Sequence, residues 1–238
     1  MNVYPHILSL LQQGRRLLAV LVDPDKPQLY PQLFPYLHQV DLLLVGGSTG
    51  NGVEACVQSL RQHTTAPILL FPGNIAQFTP QVDALLFLTL LNSRRPEVLI
   101  EPHIQVALDV LQSGVETIPM GYILVDGHSL SAVQRVTHCT PIQDTDLLVR
   151  TAVAGQLLGK QLIYLEAGSG ARMPVPAHQI RAVKQQLHIP LIVGGGVGSL
   201  QQMTDAFDAG ADIVVIGNHF EQFPQQLPLF IEITHTYL

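Results

Sequence analysis

The chain has 238 residues, of which 47% are hydrophobic and only 13% are charged. This composition supports a large core and excludes a protein that is mainly disordered. The net charge of −6 argues against a protein that binds nucleic acid nonspecifically through its phosphates. The length is typical of one α/β barrel, so we expect a single domain over residues 1–238.

Two features indicate the compartment. Cys56 and Cys139 lie far apart and form neither a CxxC motif nor a metal-binding spacing, so we expect reduced, partly buried thiols. The apolar run from Leu17 to Val22 ends at Asp23, which makes it too short for a signal peptide or a membrane span. The sequence therefore predicts a cytoplasmic protein without a transmembrane segment.

Eight short apolar segments alternate with amphipathic stretches along the chain. They are Leu17–Val22, Leu42–Val45, Ile68–Phe71, Ala84–Leu90, Tyr122–Val125, Leu162–Leu165, Leu191–Val193 and Ile213–Ile216. Continuous apolar runs separated by helical patterns are typical of parallel strands with helical crossovers, and eight such strands predict a closed (β/α)8 barrel. An open, doubly wound sheet is the alternative.

Helices are predicted in the linkers Gly52–His63, Pro96–Ser113, Asp144–Leu158, Pro176–Leu187 and Ser199–Ala209, and over the final segment Glu221–Leu238. The linker between the third and fourth strands differs, because Pro72, Gly73 and Pro80 interrupt it and it is too short for a crossover helix. We therefore predict a modified TIM barrel whose third helix is replaced by a short irregular segment. The missing helix would leave a groove lined by Phe71, Ile75, Phe78 and Phe87, although core packing explains these side chains equally well.

The loops after the first two strands carry candidate metal ligands. Asp23, Asp25 and Lys26 follow strand one, a composition that suits Mg²⁺ and an anionic substrate but also an ordinary polar turn. Strand two is followed by Gly46-Gly47-Ser48, where the Ser48 hydroxyl could complete a Mg²⁺ shell. The loop lacks a Walker A motif, so this signal is weak alone.

Strand six ends in a candidate catalytic pair. Side chains alternate along a strand, so Tyr164 and Glu166 point to the same side, which at the rim of a barrel is the pocket. A carboxylate there can act as a general base on an alcohol or can orient it. The alternative is a buried structural carboxylate paired with a cation. Asp126, at the end of strand five, could serve the site or cap a helix.

The last two strands end in glycine. Gly194-Gly195-Gly196 follows strand seven, and Gly217-Asn218 follows strand eight. Glycine lets backbone N–H groups approach an anion closely, and in (β/α)8 barrels the loops after strands seven and eight hold phosphate. The ten histidines form neither HxH nor HExxH, so a zinc site is not indicated.

In this order, the strand ends resemble those of the geranylgeranylglyceryl phosphate synthase family, which includes the bacterial PcrB-type enzymes. The matching motifs are Asp23-Pro24-Asp25-Lys26, Gly46-Gly47-Ser48, Leu91-Asn92-Ser93, Tyr164-Leu165-Glu166-Ala167-Gly168-Ser169-Gly170, Gly194-Gly195-Gly196 and Gly217-Asn218. One departure is Leu21, because the PcrB-type enzymes carry a lysine two residues before the first aspartate. This difference places the chain nearer to the bacterial branch that uses geranylgeranyl donors.

The resemblance implies a Mg²⁺-dependent prenyltransferase and a modified barrel that lacks its third helix. The prenyl group would pass from geranylgeranyl diphosphate to the 3-hydroxyl of sn-glycerol 1-phosphate and give an ether lipid precursor. It also implies that Asp23 and Ser48 hold Mg²⁺, that Glu166 and Tyr164 serve catalysis, and that the protein is a homo-oligomer, either a dimer or a hexamer. The implied residues for sn-glycerol 1-phosphate are Tyr164, Leu165, Glu166, Ala167, Gly168, Ser169, Gly170, Gly195, Gly196, Gly217 and Asn218.

Two other functions fit the same barrel. A sugar-phosphate isomerase or epimerase would need an acid and a base but no long apolar groove. A barrel that binds phosphates without catalysis would leave the carboxylates of strands one and six idle.

Overall fold

Eight parallel strands form a closed barrel in sequential order in the computed structural model, which describes residues 2–47, 52–74 and 77–237. The strands are β1 (Leu17–Val22), β2 (Leu42–Val45), β3 (Ile68–Leu70), β4 (Ala84–Leu90), β5 (Glu116–Leu124), β6 (Leu162–Glu166), β7 (Leu191–Gly194) and β8 (Ile213–Ile216). The closed order confirms the predicted TIM barrel and rules out the open, doubly wound sheet.

The strands match the predicted apolar runs closely because most of them are buried on both faces. In β1 and β2 almost every residue is buried, and their register pairs Val20 with Leu43 and Val22 with Val45. Parallel strands between a filled interior and a layer of helices require such continuous apolar runs. The largest difference lies in β5, which begins at Glu116, six residues before the predicted start at Tyr122.

Helices follow most strands. They are α1 (Val3–Gln12), α2 (Val53–Arg61), α3 (Pro96–Leu99), α4 (Glu101–Ser113), α5 (Ala132–Thr137), α6 (Thr145–Leu157), α7 (Ala177–Lys184), α8 (Leu200–Asp208), α9 (Asn218–Gln222) and α10 (Leu227–Thr234). A 3-10 helix over Tyr30–Gln39 connects β1 to β2, and another spans Pro224–Gln226. Neither α1 nor the first 3-10 helix was predicted from the sequence.

Two predicted helices are wrong as continuous elements. The helix predicted over Pro96–Ser113 breaks at Ile100, whose φ of −130° leaves the helical region, and gives α3 and α4. The predicted last helix over Glu221–Leu238 is also divided, because α9 ends at Gln222 and a 3-10 turn begins at Pro224. Proline lacks an N–H group and ends an α-helix when it falls in its interior.

The described part of the segment between β3 and β4, residues 71–74 and 77–83, contains no α-helix, as predicted. The side chain of Gln77, which is 1% exposed, fastens this segment to the end of β2. Its Oε1 accepts a hydrogen bond from the Gly73 amide at 2.5 Å, and its Nε2 donates to the Gly47 carbonyl at 2.6 Å. The buried side-chain amide of Gln77 thus provides hydrogen-bond partners for the Gly73 N–H and the Gly47 carbonyl.

The chain divides into two compact units. One contains Met1–Leu86, Pro102–Thr117 and Ile216–Leu238, and the other contains Phe87–Glu101 and Ile118–Val215. None of the helices in the described ranges is long and apolar enough to cross a bilayer. Cys56 and Cys139 are free thiols, as predicted, and burial raises the pKa of Cys56 to about 12, so this thiol stays protonated at neutral pH.

Candidate active site

In the first unit, two carboxylates converge beside the end of β2. Asp23 Oδ1 accepts a hydrogen bond from the Asp25 amide at 3.0 Å, which fixes the turn after β1. A Cβ atom at Gly47 would collide with Asp23 Oδ1 and lie 2.8 Å from Asp25 Oδ2. Both carboxylates therefore occupy the space that the absent side chain of Gly47 leaves open.

This arrangement fits a magnesium ion. Carboxylate oxygens are the ligands that Mg²⁺ prefers, and it usually takes one or two of them together with water and substrate phosphate. Within residues 2–47, 52–74 and 77–237, no cluster of three or more His, Cys, Asp and Glu side chains could hold a metal alone. An ion at Asp23 would thus depend on substrate and water oxygens. Ser48, the other predicted ligand, lies outside the described residues.

Lys26 and Glu221 join the loops that follow β1 and β8. The Lys26 ammonium donates to both carboxylate oxygens of Glu221, at 2.9 and 2.8 Å, and lies 3.3 Å from Asp23 Oδ2. Burial lowers the pKa of Lys26, but the hydrogen bond and the charge of Glu221, together with Asp23, outweigh burial and raise this pKa above its usual value. Lys26 is therefore a permanent cation beside the carboxylates.

An apolar side chain lies beside the loop that follows β8. Gly217 precedes α9, and a Cβ atom at this position would lie 3.2 Å from the Cβ of Leu21 in β1. Gly217 and Asn218 are half-buried at the start of this five-residue helix. Leu21 is the position at which the PcrB-type enzymes were expected to carry a lysine, so no cation is supplied there.

In the second unit, Tyr164 and Glu166 form a buried hydrogen-bonded pair at the end of β6. Tyr164 is 1% exposed and Glu166 is 6% exposed. The carboxylate accepts hydrogen bonds from the Tyr164 hydroxyl and, at 2.7 Å, from the Gly168 amide. Burial raises the pKa of Glu166, while the two hydrogen bonds lower it to a smaller extent. A carboxylate with a raised pKa and a fixed orientation has the properties of a general base.

Glycines surround this pair. Gly195 and Gly196 have φ values of +80° and +70°, which side-chain-bearing residues rarely adopt. A Cβ atom at Gly195 would collide with Glu166 Oε1, and one at Gly194 would collide with the Tyr164 hydroxyl. The turn after β7 therefore passes directly against the carboxylate and the phenol of β6.

The other predicted positions have varied surroundings. Leu165, Ala167 and Gly168 are buried, whereas Ser169 and Gly170 are exposed. These residues stay candidates for acceptor binding.

Asp126 holds the loop after β5. Its Oδ1 accepts from the His128 amide at 2.9 Å, and its Oδ2 accepts from the Gln143 side chain at 2.7 Å. These contacts support a loop-stabilising role instead of a helix cap. Of the predicted groove residues, Phe71, Phe78 and Phe87 are half-buried, and Ile75 lies outside the described residues.

The sequence did not predict two residues that contact the candidate site residues, Tyr122 beside Tyr164 and Glu221 beside Lys26. Tyr122 of β5 packs edge-on against Tyr164 with ring centroids 5.3 Å apart, and it is buried. Glu221 was assigned only to the last helix, although it binds Lys26. Tyr122 could have been found as the one aromatic residue of the predicted run Tyr122–Val125, whereas no local signal links Glu221 to a residue 195 positions earlier.

The closed barrel, with glycine turns after β7 and β8, belongs to the class of TIM barrels, in which these two loops commonly hold phosphate. Residues 13–233 match the PcrB family, and the chain belongs to this family.

Curated relatives share one name. The chain is 46% identical over 222 residues to a geranylgeranylglyceryl phosphate synthase of Zunongwangia profunda, covering 90% of this chain and 95% of the relative. It is 41% identical over 229 residues to the synthase of Flavobacterium johnsoniae, covering 92% and 94%. An archaeal synthase, from Korarchaeum cryptofilum, is 37% identical over 216 residues, covering 87% and 88%.

Solved structures agree with the fold. The chain resembles the (S)-3-O-geranylgeranylglyceryl phosphate synthase of Thermoplasma acidophilum in complex with its substrate sn-glycerol-1-phosphate, with a TM-score of 0.88 and 30% identity over all of this chain and 98% of the other. The wild-type enzyme of Thermoplasma volcanium gives a TM-score of 0.90 at 28% identity, with the same coverage.

Proposed function

We propose that this protein transfers a geranylgeranyl group from its diphosphate to the 3-hydroxyl of sn-glycerol 1-phosphate, which makes an ether lipid precursor. The observation that carries the proposal is the buried Glu166 carboxylate, which the Tyr164 hydroxyl and the Gly168 amide hold beside the Gly195 turn. The relatives named geranylgeranylglyceryl phosphate synthase, at up to 46% identity among those given above, support the same reaction.

In the proposed reaction, Glu166 takes the proton of the acceptor 3-hydroxyl. The oxygen forms a bond to the first carbon of the prenyl chain, and the bond from this carbon to the diphosphate oxygen breaks. The diphosphate leaves with the bonding electron pair, so atoms and charge balance. Tyr164 and Gly168 orient the carboxylate and stabilise its charged form before the proton moves.

The acceptor phosphate is proposed to bind the glycine turns after β6, β7 and β8. Gly168, Gly195 and Gly196 have positive φ, and Gly217 precedes the short helix α9. In TIM barrels the loops after strands seven and eight and the start of a short extra helix hold phosphate.

The donor is proposed to bind at the β1 and β2 loops. Asp23, with Ser48, would hold Mg²⁺, which when bound stabilises the charge on the departing diphosphate as a Lewis acid. The prenyl chain would lie along Phe71 and Phe78, which are half-buried in the segment between β3 and β4.

The decisive experiment incubates the purified protein with Mg²⁺, geranylgeranyl diphosphate and sn-glycerol 1-phosphate and measures prenyl ether by mass spectrometry. A matched reaction with EDTA tests the metal. Formation of the ether only with Mg²⁺ supports the proposal. Turnover of a sugar phosphate without any ether would favour an isomerase or epimerase, and glycerol phosphate binding without turnover of any donor would favour a non-catalytic barrel.

A second copy of the chain is the proposed partner of α4. Ile104, Leu108 and Leu111 are 61, 67 and 77% exposed, and their spacing of four and three residues is that of a helix–helix seam. The helix contains Glu101 and Asp109 but no Lys or Arg, so it would not be attracted to an anionic membrane.

We place this homo-oligomer in the cytoplasm, in keeping with its free thiols.

Light scattering on the purified protein tests this partner. The wild type should be an oligomer, and Leu108→Asp should dissociate it because the charge would be buried in the seam. The control variant is Leu229→Asp, because Leu229 is 47% exposed in α10. This variant should leave the oligomer intact. A monomeric wild type would contradict the proposal, and so would binding of the wild type to anionic vesicles that Leu108→Asp abolishes.

A further inference from the structure

Lys26, Asp23 and Glu221 form an ion cluster within the first unit, at the ends of β1 and β8. The Lys26 ammonium contacts three carboxylate oxygens, two of Glu221 at 2.9 and 2.8 Å and one of Asp23 at 3.3 Å. All three side chains line one cavity together with the apolar side chains of Leu21 and Leu29. Glu221 comes from the short helix α9, 195 residues after Lys26.

The three contacts of the Lys26 ammonium are unequal. The two hydrogen bonds that Lys26 donates to the Glu221 carboxylate are short. The contact with Asp23 is longer and therefore weaker. The Asp23 contact is therefore the one that an incoming anion would replace most easily. The Lys26 side chain is 36% exposed, so one side of it is open to a ligand.

A structural role alone does not account for this arrangement. Partly exposed ion pairs add little stability, because solvent screens them and long side chains lose entropy when they are ordered. The cluster lies where barrel strands end, the edge at which TIM barrels bind ligands. A lysine ordered before its anion arrives binds that anion with a smaller entropic cost.

We infer that Glu221 is a positioning residue that holds the Lys26 ammonium beside Asp23, so that Lys26 binds the diphosphate of the prenyl donor. This inference rests on the proposed function, since it assigns the diphosphate to the loop that follows β1. It concerns the donor only and predicts no effect on glycerol phosphate binding.

The test uses Lys26→Met, Lys26→Arg and Glu221→Gln in the full-length protein. Lys26→Met should raise the KM for geranylgeranyl diphosphate about 10- to 100-fold, the usual cost of losing a hydrogen bond to a charged group. It should weaken the binding of inorganic diphosphate, measured by calorimetry, by a similar factor. Lys26→Arg should recover part of both, and the KM for glycerol phosphate should stay unchanged.

The double variant separates positioning from direct binding. If Glu221 acts through Lys26, Glu221→Gln weakens diphosphate binding in the wild type but has no further effect in Lys26→Met. Additive losses would overturn the positioning role. If Lys26→Met does not fold, Lys26→Gln replaces it in the same cycle, because it also removes the charge of the ammonium.

Arg15→Met is the matched control. Arg15 precedes β1 at its opposite end and pairs with Asp41 at 2.8 Å, with 29% of its side chain exposed. This variant also loses one cation of the first unit, so it should change thermal stability but neither the donor KM nor diphosphate affinity. Equal losses of affinity in Arg15→Met and Lys26→Met would overturn the inference.

The two proposals can fail separately. If the wild type makes no prenyl ether but binds inorganic diphosphate through Lys26, the proposed function is contradicted. The assignment of Lys26 to an anion site then still stands. If the wild type makes the ether and Lys26→Met has an unchanged donor KM and diphosphate affinity, the inference about Lys26 is overturned. The proposed function then still stands.

Discussion

Gly195 leaves the space that the Glu166 carboxylate occupies. A Cβ atom at position 195 would collide with Glu166 Oε1 and would lie 2.6 Å from the Gly168 amide nitrogen. Since Gly168 donates to the same oxygen, one added methyl group would disturb both the carboxylate and its hydrogen bond. The turn after β7 thus controls the position of a group on β6.

We expect Gly195→Ala to lower kcat by about 100-fold or more, because a displacement of about 1 Å at a reacting group has this effect. Steady-state kinetics with both substrates measures it. Gly159→Ala is the control, since Gly159 has a similar φ of +84° but no atom within 4 Å of an added Cβ. Both variants should lose about 1–2 kcal/mol of stability through backbone strain, and Gly195→Ala should lose more because its Cβ atom collides with Glu166 and the Gly168 nitrogen. Equal activity in the two variants would contradict this prediction.

Glu166→Gln should lower kcat by about 10²- to 10⁴-fold, the usual contribution of a general base. The amide keeps the shape and can still accept from the Gly168 amide, so the KM for glycerol phosphate should change little. Kinetics with varied acceptor separates the two effects. A variant that loses acceptor affinity but keeps kcat would remove the proton role of Glu166.

The raised pKa of Glu166 has opposite consequences for activity and stability. Burial is the main cause of this shift, with the two hydrogen bonds opposing it. Activity needs the ionised carboxylate, so kcat should rise with pH through this raised value, which lies above the usual 4.3 or so. Stability changes the other way, because a group with a raised folded-state pKa stabilises the fold at low pH and loses this contribution as pH rises.

Thermal unfolding between about pH 4 and 8 measures the second effect. Glu166→Gln should gain stability relative to the wild type as pH rises from the pKa of an unfolded glutamate through the raised pKa of Glu166, and the difference should be constant below the unfolded pKa. Subtraction of the two curves removes the contributions of the other carboxylates. A difference that stays constant over this range would show that Glu166 ionises normally in the fold.

Asp23→Ala should abolish prenyl transfer while the fold stays intact, because this carboxylate is the proposed metal ligand. Kinetics at increasing Mg²⁺ and circular dichroism measure the two properties. Asp146→Ala is the control, since Asp146 is an exposed residue of α6 that pairs with Arg150 of the same helix. Activity near that of the wild type in Asp23→Ala would remove the metal assignment.

Much of the barrel could be predicted from the sequence because its strands are buried on both faces. Residues 17–22, 84–90 and 213–216 form strands with the predicted bounds. The start of β5 was missed because Glu116 and Pro119 do not fit an apolar run. Helical periodicity continues across Ile100, so nothing in the pattern indicated the break between α3 and α4.

The site was predictable only where chemistry and strand ends coincide. The pairing of Tyr164 with Glu166 follows from alternation along one strand. The pairing of Lys26 with Glu221 does not, because it depends on β1 and β8 ending near each other in the closed barrel. Such long-range contacts carry no local periodicity, and the sequence alone offered Glu221 only as a helical residue.

Glu221 lies in the last tenth of the chain, whereas Lys26, whose ammonium it binds, lies near the N-terminus. A nascent chain that has not yet emerged beyond β8 therefore has the aspartates and the lysine of its first loop but lacks the residue that orders the ammonium. Under the positioning role inferred for Glu221, the proposed donor site would be complete only after this last segment has been made.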